Sequence, residues 1–255
     1  MNDLFNKQGY LLAKGVFSKQ EVEVLESDFD KVVSLLQSGT EDPNGRWTSS
    51  ALDNIEQELD QTSIVHSHMI HRYSAKWAKA LFQEKFLDIA KQLLGEDIVL
   101  HHNKLFFKPP KRGSAFPVHQ DWSYFPFKND SMIAAIIHIT DATDDMGCVR
   151  VFPGSHKLGR LEKSDGTVYN KMIEETYPLE SGEAMIAEPG DVLFFHYCTL
   201  HGSKPNVSNN SRKTVLVQMH AGDDEPENAD DDHPYDRMTL SGINRHMTRS
   251  LGNKS

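Results

Sequence analysis

Asp97-Ile98-Val99-Leu100-His101-His102-Asn103-Lys104-Leu105-Phe106-Phe107 marks the point where the character of this 255-residue chain changes. Before it, apolar residues recur at helical spacing. After it come short apolar and β-branched runs punctuated by Gly, Pro and Asn, the way a sandwich or barrel of strands is written. The strand-like runs are Ile98–Phe107, Met132–Thr140, Cys148–Phe152, Glu183–Ala187, Val192–His196 and Thr214–Met219. Helices first and strands later predict an α+β chain with a mainly β core, an antiparallel two-sheet barrel buttressed on one outer face by N-terminal helices.

Working outward, Ser18-Lys19-Gln20-Glu21 has the capping-box form, and Val22, Leu25, Phe29, Val32 and Leu36 follow at helical spacing. A polar stretch from Ser38 to Arg46, with Pro43-Asn44-Gly45 as a turn, ends that helix. Ser74 through Leu94 again reads helical, with Trp77, Leu81, Phe86, Ile89, Leu93 and Leu94 apolar and Gly95 at the C-cap. Beyond the strands, Asp223-Asp224-Glu225-Pro226-Glu227 and Asp230-Asp231-Asp232 read as a solvated acidic loop. The length suits one domain, with a helical buttress over about 1–95, a barrel core over about 97–222 and a C-terminal extension over 223–255.

The 37 acidic against 27 basic residues give a formal charge of −10, which repels a phosphate backbone, so nucleic acid is not an expected partner. No window approaches the ~18 uninterrupted apolar residues of a membrane span. The opening Met1-Asn2-Asp3-Leu4-Phe5-Asn6-Lys7 has neither a basic nor an apolar targeting region. Cys148 and Cys198, the two cysteines, each sit in an apolar stretch and read as small buried residues. These features predict a cytoplasmic protein.

The chemistry centres on Pro117-Val118-His119-Gln120-Asp121-Trp122. If extended, positions i and i+2 project to one side, so the His119 imidazole and Asp121 carboxylate converge where a metal could sit. Completed by a second histidine, they make the facial triad that leaves positions open on non-haem iron(II). Alone, the motif is weak, since a surface ion pair explains it as well. In Pro189-Gly190-Asp191 through Leu200-His201-Gly202-Ser203, a turn launches an apolar strand that delivers His201 beside a glycine permitting close backbone approach. His196 competes for the ligand role but lies inside the apolar run, as a packed core histidine would. Arg212 comes eleven positions after His201, room for one turn and a return on the adjacent strand. Its guanidinium suits a bidentate grip on a carboxylate, and Thr214 can add a hydroxyl on the same face. Taken singly, Arg212 reads as a solvated edge charge; the ordered set is far more specific.

Lys108-Pro109-Pro110, His119-Gln120-Asp121 with Tyr124-Phe125-Pro126, Gly147-Cys148 through Pro153-Gly154-Ser155-His156, Pro189-Gly190-Asp191, His201-Gly202-Ser203 and Arg212-Lys213-Thr214 together resemble the phytanoyl-CoA dioxygenase family over nearly the whole chain. The resemblance implies a double-stranded β-helix (a jelly-roll or cupin-like barrel) that uses iron(II), 2-oxoglutarate as co-substrate and O2, hydroxylating a small molecule with release of succinate and CO2. It implies His119, Asp121 and His201 as iron ligands, Arg212 with Thr214 at the distal oxoglutarate carboxylate, and Lys108 also approaching oxoglutarate. One departure is Ile137, where the phytanoyl-CoA oxygenases of the family carry a tryptophan near the co-substrate. The acidic ligand Asp121 argues against halogenation, which needs a vacant coordination position.

Trp122, Tyr124, Phe125 and His138 are candidates for the substrate side, with core packing an equally good account of each. His101 and His102 read as spare core histidines, the Gly154-Ser155-His156 turn as structural, and Arg245 and Arg249 as solvated or anion-facing. Two alternatives stay open: a non-catalytic barrel acting as a binding or regulatory module, and a zinc hydrolase on the same three ligands. Neither accounts for Arg212. The substrate's identity and the oligomeric state are not legible in the residues.

Overall fold

The computed structural model describes residues 1–38, 66–111, 113, 115–161, 171–227 and 235–247. Pro43-Asn44-Gly45, Asp230-Asp231-Asp232 and Arg249 lie outside the described residues. The strands are β1 (Tyr10–Ala13), β2 (His66–His68), β3 (Ile98–Lys108), β4 (Phe116–His119), β5 (Ile133–His138), β6 (Val149–Val151), β7 (Glu183–Ala184), β8 (Val192–His196), β9 (His201–Ser203), β10 (Arg212–Ala221) and β11 (Thr239–Ser241). A seven-stranded sheet runs β1-β8-β5-β10-β3-β11, with β2 also on β3, and a four-stranded sheet runs β4-β9-β6-β7. Every pairing is antiparallel. This is the double-stranded β-helix.

The helices α1 (Asn2–Gln8), α2 (Lys19–Ser38), α3 (Ile70–Tyr73), α4 (Ala75–Ala80) and α5 (Glu84–Leu94) precede most of the strands. The capping box forms as its sequence dictates: the Glu21 N–H donates to Ser18 Oγ at 3.3 Å and the Ser18 N–H to the Glu21 carboxylate at 2.7 Å. α2 buries Val22, Leu25, Phe29, Val32 and Val33. The stretch from Ser74 is not one helix. It breaks after Ala80 because Gln83 caps a second start, its side-chain oxygen accepting from the Phe86 N–H at 2.7 Å. Phe29, Trp77 and Phe86 meet Ile133, Ala135, Ile137, Val215 and Val217 on the outer face of the large sheet. Each fully buried large apolar side chain there contributes about 1.5–3 kcal/mol. Alternate residues, Ala134, Ile136, Leu193 and Phe195, face Val149 and Val151 of the small sheet.

A β-bulge divides β3. Gln218 pairs with His102 but Met219 with Leu100, so His101 is an extra residue. Ile98 and Leu100 face the helices before it, and Leu105 and Phe107 after it. The face toward the small sheet therefore carries His102, Lys104 and Phe106.

Several strands escape the sequence pattern. β2, β9 and β11 have three residues each and β1 four, too short to show a period. β1 and β2 bring the first part of the chain into the large sheet, and β11 does the same from the C-terminal part. Of the run Glu183–Ala187, only Glu183–Ala184 pairs as a strand. The acidic loop is not wholly solvated: Asp224 is buried and accepts from the Asn129 N–H, the Ser131 N–H and the Ser131 hydroxyl. It satisfies a turn that would otherwise leave buried donors unpaired.

Candidate metal and co-substrate site

His119 ends β4 and His201 begins β9, and the two are direct partners in the register. Opposed residues on antiparallel strands hold their side chains close, and these rings lie 4.3 Å apart between centroids. Gly202 makes the strand approach possible, since a Cβ there would fall 2.8 Å from the Phe116 carbonyl oxygen. Asp121 is not on the extended strand. It opens a short 3-10 turn, Asp121–Ser123, tethered by its N–H donating to the Tyr197 carbonyl at 2.8 Å. The turn, rather than the two-residue period of a strand, swings the carboxylate back. Asp121 Oδ1 lies 3.5 Å from Nε2 of both His119 and His201. The ligand atoms of the three all fall within 4.8 Å of one another.

The second nitrogens settle the tautomers. Nδ1 of His119 donates to the Pro117 carbonyl at 2.7 Å and Nδ1 of His201 to the Thr199 carbonyl at 3.0 Å, which leaves each Nε2 lone pair toward the centre. Burial pushes the His201 pKa down to about 4, against the pull of Asp121, so the ring is neutral at pH 7 as a metal ligand must be. Burial opposes the Asp121 charge, but His201, His119 and a hydrogen bond from Gln218 outweigh it and hold the carboxyl below its ordinary range. Gln218 Nε2 donates to Asp121 Oδ2 at 2.6 Å.

These groups open into a cavity of about 850 Å³, counting its open mouth. Tyr124 and Phe125 line it, as do Arg212 and Thr214, which share one face of β10. Trp122 and His138 are not among its lining residues. The Trp122 indole N–H is turned to Gln120 Oε1 at 2.7 Å, and His138 is buried beside the Asp191 carbonyl. Ile137 lies in the helix-side core, so the cavity wall at this point is made by Ile136. Lys108 is also withheld from the cavity lining, its Nζ donating to Ser203 Oγ at 2.7 Å and to the Lys204 carbonyl at 2.5 Å. His196 donates to the Asp130 carbonyl and accepts from the Cys198 N–H, a structural role. Ser155 accepts from the Leu200 N–H within its turn, and Arg245 pairs with Asp97. Both cysteines are free and buried.

The electrostatics of the far end are unusual. Arg212 and Lys108 are paired in register, both buried, and among the described residues no carboxylate pairs with either. Arg212 gives one N–H to the Gly147 carbonyl, while its Nε has no partner. Burial pulls the Arg212 pKa down to about 10, still charged at neutrality, and burial and then Arg212 drive Lys108 well down. An anion received there would relieve both.

Sequence reasoning missed several lining residues: His102, read as a spare core histidine, lines the cavity, as do the polar Gln218 and Lys104. All three were countable: every second residue from Arg212 gives Thr214, Leu216 and Gln218, and back from Lys108 gives Phe106, Lys104 and His102.

Residues 5–214 match the model of the family described as Phytanoyl-CoA dioxygenase (PhyH). The chain belongs to the phytanoyl-CoA dioxygenase family. It is 29% identical over 234 residues, 85% of this chain and 76% of the other, to a probable alpha-ketoglutarate-dependent hypophosphite dioxygenase of Stutzerimonas stutzeri. With the peroxisomal phytanoyl-CoA dioxygenase of Homo sapiens it shares 34% over 140 residues, 51% of this chain and 41% of that one, so the match spans under half of the human protein. Among solved structures, the non-heme alpha ketoglutarate dependent carbocyclase SnoK from nogalamycin biosynthesis superposes with a TM-score of 0.72 at 20% identity, covering 92% of this chain and 91% of that one. That likeness shows the fold.

Proposed function

We propose that this member of the family oxidises a C–H bond of a small molecule at a centre where His119, Asp121 and His201 hold iron(II) and Arg212 anchors 2-oxoglutarate. The enzyme class, an iron- and 2-oxoglutarate-dependent dioxygenase, follows from family membership. The residue roles rest on geometry. Two imidazole nitrogens and one carboxylate oxygen facing one point form a three-ligand set that suits non-haem iron with positions left open.

The observation that carries the reading is the buried guanidinium with no acid beside it among the described residues. A charge removed from water without a partner is strongly unfavourable, and a protein keeps one where a ligand completes it. The distal carboxylate of oxoglutarate does so, with Thr214 on the same face of β10. A zinc hydrolase would share the three ligands but has no use for this cation.

When bound, iron and oxoglutarate supply dioxygen activation, with succinate and CO2 released and the substrate oxidised. The protein's part is positional. The Pro117 and Thr199 carbonyls fix the two rings, and Gln218 fixes the Asp121 carboxylate. Phe106, Phe116, Phe195 and Leu216 make the cavity walls apolar, which excludes water and orients the substrate. Hydroxylation is the outcome the retained Asp121 supports. One domain and a cytoplasmic setting complete the proposal, supported by a core that runs from Phe5 to Leu240 and by two reduced, buried cysteines. No helix among the described residues is long and apolar enough to cross a membrane.

The test is anaerobic addition of iron(II) and 2-oxoglutarate to the purified protein. A weak visible absorption band is expected, severely diminished in Arg212→Ala. A wild-type protein that gives no band refutes the reading.

A further inference from the structure

Lys104 is the charged residue of the cavity that the oxygenase reading leaves without a task. It stands on β3 opposite Leu216, between the Lys108–Arg212 pair at one end of the cavity and the His102–Gln218 pair at the other. It lines the cavity, and among the described residues its ammonium forms no hydrogen bond or ion pair. Its near neighbour is the Phe106 ring, with Nζ 5.2 Å from the centroid. The rest of that wall is Phe116, Ile136, Phe195 and Leu216. Burial pushes its pKa down to about 8, with Asp121 the acid that opposes this.

We propose that Lys104 receives an anionic headgroup, a carboxylate, phosphonate or phosphinate, of the primary substrate, whose small apolar remainder packs against the aromatic wall. This rests on the oxygenase reading above. In that reading neither anion already assigned to the site is free to serve Lys104. Asp121 commits its charge to the metal. Oxoglutarate commits one carboxylate to Arg212 and the other to the metal. Lys104 is also four residues from Lys108 along an extended strand, about 13 Å from the level of Arg212, so the two cations address different ends of the cavity. In formal charges, iron(II), Arg212 and Lys104 outweigh Asp121 and oxoglutarate, and the buried centre stays net positive until a further anion arrives. A neutral substrate would leave the ammonium with the face of the Phe106 ring as its contact, a weaker partner than a charged acceptor. An anion would turn the same ammonium into a charge-assisted contact that sets which C–H bond lies nearest the metal.

The experiment uses the full chain with iron(II) and oxoglutarate under anaerobic conditions, with binding read by calorimetry and by perturbation of the visible band. The probes are methylphosphonate and hexanoate, each against its neutral counterpart, dimethyl methylphosphonate and hexanamide, with hypophosphite as a third anion. At least one anion should bind wild type about ten-fold or more tighter than its neutral counterpart; Lys104→Met should lose about ten-fold or more of that affinity, and Lys104→Arg should keep most of it. Oxoglutarate affinity should stay within about two-fold in Lys104→Met, because its anchor is Arg212. Anions binding no better than neutral counterparts would overturn the proposal. So would a Lys104→Met protein that loses oxoglutarate rather than the probe, since the ammonium would then serve the co-substrate. A failure of the oxygenase reading is separately visible as a wild-type protein with no band before any probe is added.

Discussion

Arg212 and Arg160 are two arginines of one fold with opposite economies of hydrogen bonding. Arg160 spends its guanidinium on Asp130 and Glu227 and on the Phe127 carbonyl and Tyr197 hydroxyl, and holds Trp122 under it. It stitches the turn after β4 to the acidic loop. Arg212 is the more deeply buried and so needs partners more, yet it has one carbonyl, an orphaned Nε and a second cation as its register partner. A saturated arginine is structure. An arginine left open at a cavity is what a receptor for an anion from outside the chain requires.

The sharpest way to break this contrast is to remove each cation in turn. Arg212→Met should raise the KM for oxoglutarate by about a hundred-fold or more, the scale expected when one partner of a buried charge pair is truncated, whereas Arg160→Met should leave it nearly unchanged. Steady-state kinetics in oxoglutarate decide it. An equal rise in both variants would mean that Arg212 only holds the fold.

Next in size is Gln218→Leu, which deletes the hydrogen bond to Asp121 Oδ2. Metal affinity should fall by about ten- to a hundred-fold, the usual effect of losing a partner that orients a ligand. Titration of the metal-free protein with iron(II) or manganese(II) measures it, and Arg160→Met again serves as the silent control.

Stability should then move in opposite directions. Without ligands, replacing an unneutralised buried cation by an apolar side chain of similar length is expected to stabilise, by about 1–4 kcal/mol for Arg212→Met. Arg160→Met should destabilise by about 1–2 kcal/mol, since it abandons charged acceptors. Denaturant melts of the metal-free proteins give both signs. Two destabilised variants would erase the distinction between the arginines.

The smallest effect is in pH. Burial, and then the Arg212 charge, pushes His138 down to about 4. Between that value and the ordinary 6.5 the unfolded chain binds a proton that the folded chain refuses, so the contribution of His138 to stability is present above 6.5 and lost as pH falls toward 4. The melting temperature of the metal-free protein should decline across that window, less steeply in His138→Gln. It should also decline less steeply in Arg212→Met, where one cause of the shift is gone.

What the sequence disclosed and what it hid divide along physical lines. The long apolar strands are legible because burial on both faces writes an unbroken run, and the Ser18 helix because its cap and stripe are local. The pairing of His119 with His201 is a property of two strands far apart in sequence, so only the resemblance could anticipate it. Asp121 was expected on a strand and sits on a turn, because the tether that bends the chain is the distant Tyr197 carbonyl. Trp122 follows Asp121 in sequence and His138 pairs in register with Thr214, but neither lines the cavity. Lys104 and Gln218 belong to no motif, and their place at the cavity follows from the two-residue period of β3 and β10 counted from Lys108 and Arg212.

The extra residue at His101 carries one last consequence. On the N-terminal side of it, β3 shows even-numbered residues to the helices, and on the C-terminal side odd-numbered ones. The strand thus behaves as two rulers joined out of phase, and its reading frame at the cavity depends on that single insertion. Erasing the bulge while His101 stays in the ladder would turn Asn103, Leu105 and Phe107 inward and drive Lys104 and Lys108 into the oily layer under the helices, whereas deleting His101 would keep the pairing of His102 with Gln218 and leave Lys104 at the cavity. Along this strand, residue count decides chemistry before residue identity does.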